Sequence, residues 1–174
     1  MNIMIVGVGG QGTLLASRIL GKVAIKEGYD VKVSEVHGMS QRGGSVVTYV
    51  KYGDKVYSPI IDRGEADLIL AFEMLEAMRA LPYLKKGGKM IANTQKMNPM
   101  PVITGAMEYP ENIEEKLSAK INLQAVDALS LAEKAGTIKA VNVVLIGLLA
   151  KSMDVDKNVW IDVIKETVPE KFLD

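Results

Sequence analysis

Three glycines near the N-terminus have the spacing of a phosphate-binding loop. Gly7, Gly9 and Gly12 fit the pattern G-x-G-x-x-G, and Gly10 and Gln11 complete the segment. An apolar run precedes the glycines and a helical pattern follows them, which is the context that makes this motif informative. We expect Gly7 to permit a tight turn, Gly9 a close approach of ligand to backbone, and Gly12 close packing of the helix. The motif therefore predicts a nucleotide or phosphate site at a helix N-terminus. A strand-to-helix turn that binds nothing is the other interpretation.

A second group of chemically useful side chains follows the second predicted strand, Asp30–Val36. The group comprises Glu35, His37, Ser40, Gln41, Arg42, Gly43 and Gly44. In an α/β sheet such a loop lies at the carboxyl ends of the strands, where ligands bind. Arg42 can pair bidentately with a carboxylate or a phosphate. Glu35 stands about 20 residues after the glycines, where dinucleotide-binding proteins place the acid for the ribose. A structural interpretation stays open, in which Glu35 and Arg42 pair with each other and His37 is a hydrogen-bonded structural residue.

The composition excludes several kinds of site. The 174 residues carry no net charge, contain no cysteine and include one histidine, His37. A cysteine nucleophile, thiolate zinc and iron–sulfur clusters held by this chain are thereby excluded. Neutrality argues against nucleic acid and anionic membranes as partners. The carboxylates Asp62, Glu65 and Asp67 lack metal-binding spacing, so no metal site is expected.

The pattern along the chain predicts one α/β domain spanning residues 1–174. Short apolar runs alternate with segments of helical period, which is typical of a three-layer, doubly wound, mostly parallel sheet of Rossmann-like type. Gly53 and Asp54 join two β-rich segments, Ser45–Tyr52 and Lys55–Ile61, and so predict an inserted β-hairpin. Pro101–Thr104 is also predicted to be a strand.

Further features concern the helices and the location. Helices are predicted over Glu73–Leu84, where Pro82 should end the helix early, and over Ala140–Met153. The apolar part of the latter, Ala140–Ala150, is far shorter than the roughly 20 residues of a membrane span. We find no secretory signal, so a cytoplasmic location is expected. The last segment, Val168–Asp174, looks like the start of a secondary-structure element that ends early.

Two of these segments together resemble a known family. Gly7–Ala16 followed by Ser34–Ser45 is similar to the gamma-type domain of 2-oxoacid:ferredoxin oxidoreductases, and closest to the beta subunits of indolepyruvate ferredoxin oxidoreductases. The resemblance spans nearly the whole chain. Further matching segments are Tyr57–Pro59, Gly64–Asp67, Glu73–Arg79, Tyr109–Pro110, Asn142–Gly147 and Trp160.

The resemblance implies a small subunit of a heteromeric enzyme that is inactive alone. Its larger partner would hold thiamine diphosphate and 4Fe-4S clusters, and the complex would convert an aryl 2-oxoacid, coenzyme A and oxidised ferredoxin to an acyl-CoA, carbon dioxide and reduced ferredoxin. No catalytic residue is then expected on this chain. The loop from His37 to Gly44 would face the partner's active site, with Arg42 near the oxoacid carboxylate or a coenzyme A phosphate.

Two other functions fit the glycine motif by itself. One is a stand-alone dinucleotide-binding oxidoreductase that uses Gly7, Gly9, Gly12 and Glu35. The other is an ATP-dependent adenylating enzyme, since such enzymes also contain a G-x-G-G-x-G loop. Dinucleotide binding by the purified chain would favour the first, and pyrophosphate exchange with a carrier-protein tail the second.

Overall fold

The computed structural model of this chain describes residues 1–38 and 43–170. The strands are β1 (Asn2–Val8), β2 (Asp30–His37), β3 (Ser45–Gly53), β4 (Ala66–Ala71), β5 (Leu84–Asn93) and β6 (Asn122–Val126). The α-helices are α1 (Thr13–Lys26), α2 (Met74–Ala80), α3 (Met100–Ile103), α4 (Ile113–Ser118), α5 (Ala128–Lys134), α6 (Val141–Ala150) and α7 (Lys157–Thr167). Short 3-10 turns cover Leu81–Tyr83 and Ile138–Ala140.

The described strands form a six-stranded sheet in the order β2-β3-β1-β4-β5-β6. β1, β4, β5 and β6 are parallel neighbours, while β3 is antiparallel to both β1 and β2. Five of the strands therefore run in one direction and β3 alone is reversed. The predicted mostly parallel α/β fold is confirmed.

Alternation along β1 shows how the three layers are held together. Ile3 and Ile5 belong to the apolar core under α1, α6 and α7. Met4 and Val6, whose side chains point to the other face, belong to the core under α2 and α4. All four side chains are almost completely buried. A parallel strand covered on both faces has this continuous apolar sequence, and the carboxyl ends of β1 and β4 are thereby fixed at one edge of the sheet.

The predicted hairpin of Ser45–Tyr52 with Lys55–Ile61 is wrong. β3 pairs with the preceding strand β2, with Val33 opposite Val50, and Lys55–Ile61 is not a strand. β3 has β1 along its other edge, so no edge is left for a further strand. The Val56 N–H instead donates to Asp30 Oδ2 at 2.8 Å, and Pro59 has no N–H to give to a ladder.

The predicted strand at Pro101–Thr104 is also wrong, because this segment forms the single helical turn α3. Pro101 stands in the first turn of α3, where its missing N–H costs nothing. The N–H of Thr104 donates to the carbonyl of Met100 at 2.9 Å. The β-branched side chains that favour a strand are overridden by this local helical bonding.

The remaining helix predictions are confirmed with shifted boundaries. α2 ends at Ala80 and Pro82 lies in the 3-10 turn that follows, as expected for a proline at this position. Trp160, a residue of α7, is 4% exposed and packs in the core. Among the described residues, its Nε1 is the buried side-chain nitrogen or oxygen atom that has no hydrogen-bond partner. No helix within residues 1–38 and 43–170 has the length and apolarity needed to cross a membrane.

Candidate functional site

The glycine loop joins β1 to α1 at the carboxyl edge of the sheet. Gly7 lies within β1, and a Cβ there would lie 2.9 Å from Gln11 Oε1 and 3.0 Å from Phe72 Cβ. Gly12, with φ +86°, precedes the first turn of α1, and a Cβ there would lie 2.7 Å from Asn142 Nδ2. Both glycines therefore have packing reasons. Gly10 also has a positive φ, +98°, but it differs from the other two because no atom lies within 4 Å of its Cβ position.

Gln11 fastens the loop to the neighbouring strand. Its Oε1 accepts from the Val8 N–H at 2.8 Å, and its Nε2 donates to the Phe72 carbonyl at 3.1 Å. The same Nε2 donates to Gln95 Oε1 at 3.3 Å. A side chain that already makes three internal hydrogen bonds is a structural element of the loop, so Gln11 holds the glycines in place beside β4 and β5.

One cleft lies between the glycine loop and the ends of β2 and β3. It has a volume of about 400 Å³, and Gly9, Gly10, Gly12, Glu35 and His37 line it. The two segments singled out in the sequence thus meet at the carboxyl edge. Whether this cleft binds a ligand stays a prediction.

The contacts of the residues beyond the loop are local. Glu35 Oε2 accepts from Thr48 Oγ1, its cross-strand neighbour, at 3.3 Å. His37 is exposed, and its Nδ1 lies 3.3 Å from the carbonyl of Gly38. The Gly44 carbonyl accepts from the Gly9 N–H at 2.9 Å, which ties the glycine loop to the start of β3. Ser40, Gln41 and Arg42 lie outside the described residues.

A second cleft opens on the other side of the glycine loop. It has a volume of about 640 Å³, and Gly43 lines it. Among the lining residues that the sequence did not single out as site residues, four have polar or sulfur-containing side chains. These are Gln95, Met97, Lys139 and Asn142. Asn142 is detectable in principle, since it is the buried polar residue of the otherwise apolar helix α6. The other three lie in segments without periodicity, where the sequence offers no signal.

The described residues include no group of three or more histidine, aspartate or glutamate side chains placed to hold a metal ion. Apolar side chains such as Leu14, Ile138 and Val141 line part of both clefts. The polar groups beside them are backbone amides, side-chain amides, Thr13, Glu35, His37 and Lys139. Such an edge, with the first amides of the 14-residue helix α1 beside it, is suited to hold a polar or anionic group.

Residues 2–174 match the family described as pyruvate ferredoxin/flavodoxin oxidoreductase. The chain belongs to this family. It is 44% identical to the indolepyruvate oxidoreductase subunit IorB of Thermococcus kodakarensis, over 99% of this chain and 89% of the relative. It is 28% identical to the pyruvate/ketoisovalerate oxidoreductases common subunit gamma of Thermococcus litoralis, over 95% of this chain and 83% of the relative.

Comparison with solved structures supports the same fold. The crystal structure of pyruvate oxidoreductase subunit PORC from Thermotoga maritima aligns with a TM-score of 0.76 at 18% identity, covering 99% of this chain and 88% of that one. The resemblance inferred from the two sequence segments is therefore confirmed at the level of the family and the fold.

Proposed function

We propose that this chain is the small subunit of a ferredoxin-dependent oxidoreductase that acts on indolepyruvate or a similar aryl 2-oxoacid. The observation that carries the proposal is the 44% identity to an indolepyruvate oxidoreductase subunit over 99% of the chain, against 28% to a subunit serving pyruvate and ketoisovalerate oxidoreductases. The two segments that carry the sequence resemblance also line the smaller cleft, through Gly9, Gly10, Gly12, Glu35 and His37.

The proposal divides the work between this chain and a larger partner. Oxidative decarboxylation of a 2-oxoacid requires a cofactor that accepts the electron pair left when carbon dioxide departs. In the proposed complex, the partner holds thiamine diphosphate for this purpose and 4Fe-4S clusters that pass the electrons to ferredoxin. This chain contains no cysteine, so it offers no thiolates for such clusters. A cytoplasmic location is part of the same proposal.

We propose that this chain contributes to the reaction at the carboxyl edge of its sheet. Gly9 and Gly10 present backbone rather than side chains to the clefts, so a ligand or a partner segment can approach closely. Arg42 follows β2 and precedes β3 in the sequence and is proposed to pair with the carboxylate of the oxoacid or with a phosphate of coenzyme A. In this scheme the chain binds and orients, and the reacting atoms stay with the partner.

Reconstitution tests the proposal. The chain is co-expressed with a candidate larger subunit that binds thiamine diphosphate and iron–sulfur clusters, and reduction of ferredoxin is followed with coenzyme A and indole-3-pyruvate, pyruvate or 2-oxoglutarate. We expect a stable complex and reduction that is fastest with indole-3-pyruvate. Full activity of the partner without this chain would contradict the proposed role of a required subunit. Faster reduction with pyruvate than with indole-3-pyruvate would refute the proposed substrate class.

A further inference from the structure

Glu73 is a buried carboxylate that holds both ends of one segment, residues 97–109, which we call the arm. It is 1% exposed and stands directly before α2, where its Oε2 accepts from the Glu76 N–H at 2.9 Å. Its Oε1 accepts from the Met97 N–H at 3.0 Å and from the Tyr109 hydroxyl at 2.5 Å. The first and the last residue of the arm thus donate to one oxygen atom.

The contacts of Tyr109 stabilise its hydrogen bond to Glu73. Burial raises the pKa of Tyr109, and the hydrogen bond and negative charge of Glu73 raise it further, so the phenol stays protonated and donates at all physiological pH values. The ring lies 5.9 Å from Lys96 Nζ, a cation–π distance. The carboxylate of Glu73 therefore has three donors, and a buried charge satisfied in this way is stable where an unsatisfied one is not.

The arm begins in the wall of the larger cleft. Gln95 and Met97 line that cleft together with the glycine loop. The backbone of Gln95 is held by the Met74 N–H at 3.1 Å, and its side chain by Gln11 at 3.3 Å. Met97 is held through its N–H by Glu73. The position of this wall relative to the glycines is thus set by Glu73 on one side and by Gln11 on the other.

We propose that Glu73 and Tyr109 are positioning residues for this cleft, and that their hydrogen bond fixes the wall formed by Gln95 and Met97 for the substrate of the oxidoreductase. The inference rests on the proposed function for the identity of the reaction. The positional effect itself is a property of the chain and can be measured without a partner.

Amide exchange in the full-length chain tests the positional effect. Tyr109→Phe removes the hydroxyl and keeps the ring, and we expect the Met97 amide, followed by NMR, to exchange at least about tenfold faster, as loss of a hydrogen bond to a buried charge predicts. Amides of α1 should be unchanged. Tyr57→Phe is the matched control, because it removes a hydroxyl from a side chain that is 83% exposed. Unchanged Met97 exchange, or an equal rise in α1, overturns the proposal.

A double-mutant cycle asks whether both residues act through one bond. Glu73→Gln alone should also accelerate Met97 exchange, and the double variant Glu73→Gln/Tyr109→Phe should exchange no faster than the more affected single variant. Additive effects would contradict a shared bond. If Glu73→Gln fails to fold, the comparison of Tyr109→Phe with Tyr57→Phe still decides the question.

Kinetics of the reconstituted complex connect the position to the reaction. Tyr109→Phe is expected to raise the KM for indole-3-pyruvate or for coenzyme A by at least about threefold while kcat changes less than about twofold, the pattern of lost binding rather than lost chemistry. If both KM values are unchanged although Met97 exchange has risen, the cleft wall does not serve the substrate and the proposal is overturned. Absence of oxoacid-dependent ferredoxin reduction by the wild-type complex instead refutes the proposed function, and the exchange result is unaffected by it.

Discussion

Gly12 and Asn142 are in direct contact across the junction of α1 and α6. A methyl group on Gly12 would lie 2.7 Å from Asn142 Nδ2 and 3.4 Å from its Cγ. Asn142 is buried, and its Oδ1 accepts from the Val143 N–H at 2.9 Å. The third glycine of the motif therefore packs against a helix more than 120 residues further along the chain, in addition to starting α1.

We expect Gly12→Ala to lower the free energy of unfolding by about 3 kcal/mol. About 1–2 kcal/mol comes from an alanine forced to φ +86°, and the rest from displacement of the buried Asn142 side chain. Gly10→Ala is the matched control, because Gly10 also has a positive φ but has open space around it. Urea denaturation measures both. The explanation fails if the two variants lose the same stability, or if Asn142→Ala leaves the extra loss at Gly12→Ala unchanged.

Asp67 should make stability depend on pH in the acidic range. Burial by itself raises the pKa of Asp67, but hydrogen bonds from Lys85 Nζ and from the Asn2 N–H, at 2.6 Å, outweigh it and lower the pKa below its usual value. A lowered pKa means that the folded chain prefers the ionised form. The stabilisation is therefore complete above the unfolded pKa of about 3.9 and is lost as the pH falls through the folded value.

Asp67→Asn is accordingly expected to cost about 1 kcal/mol at pH 7, and this cost should shrink as the pH falls below about 4. Unfolding free energies of the wild type and the variant are compared across that range. Asp54→Asn changes an exposed carboxylate and serves as control. A difference that stays constant from pH 7 to pH 3 would show that the ionised form of Asp67 is not what stabilises the fold.

Most of the fold was predictable because its signals are local. The apolar run in β1 and the helical period of α1 are encoded in consecutive residues, and both elements lie where expected. The pairing of β3 was not predictable in this way. Gly53 and Asp54 look like a hairpin turn, but β3 has β1 and β2 as neighbours. Which segments pair with the two edges of β3 depends on contacts throughout the sheet. A short window of sequence carries no such information.

The candidate site was predictable where it consists of contiguous motifs. Gly9, Gly10, Gly12, Glu35 and His37 do line one cleft. The other side of the loop depends on long-range contacts, such as the one that brings α6 against Gly12. Single residues in irregular segments, including Gln95, Met97 and Lys139, carry no periodic signal that would mark them.

The dinucleotide hypothesis yields an expected negative result. In a dinucleotide-binding sheet the strand that ends in the ribose acid lies beside the first strand. Here the antiparallel β3 separates β2, which carries Glu35, from β1. With strands about 4.8 Å apart, Glu35 stands on a strand roughly 10 Å from β1 instead of 5 Å. We expect calorimetry of the purified chain to find no binding of NAD, NADP or FAD tighter than about 100 μM.

A micromolar dissociation constant for one of these dinucleotides would reverse that interpretation. It would do so most clearly if Glu35→Gln weakened binding and Glu27→Gln, a change at an exposed site outside the cleft, did not.

Arg42 provides the sharpest test of how the chain contributes to the proposed reaction. Its guanidinium can form two parallel hydrogen bonds to a carboxylate or phosphate, which a lysine ammonium cannot reproduce. If Arg42 pairs with a substrate anion in the complex, Arg42→Ala should lower kcat/KM by about 100-fold, and Arg42→Lys should restore little of it. Arg63→Ala, at an exposed arginine, is the control and should leave the rate unchanged.

Measurements of complex formation separate an effect on the substrate from an effect on assembly. Arg42→Ala should bind the larger subunit with unchanged affinity and unfold at the same urea concentration as the wild type, because the lost interaction is with the substrate. If the variant reacts at the wild-type rate, Arg42 does not contact the substrate. If its activity is lost in proportion to weakened subunit binding, Arg42 belongs to the interface between the subunits and the substrate anion is held by the partner.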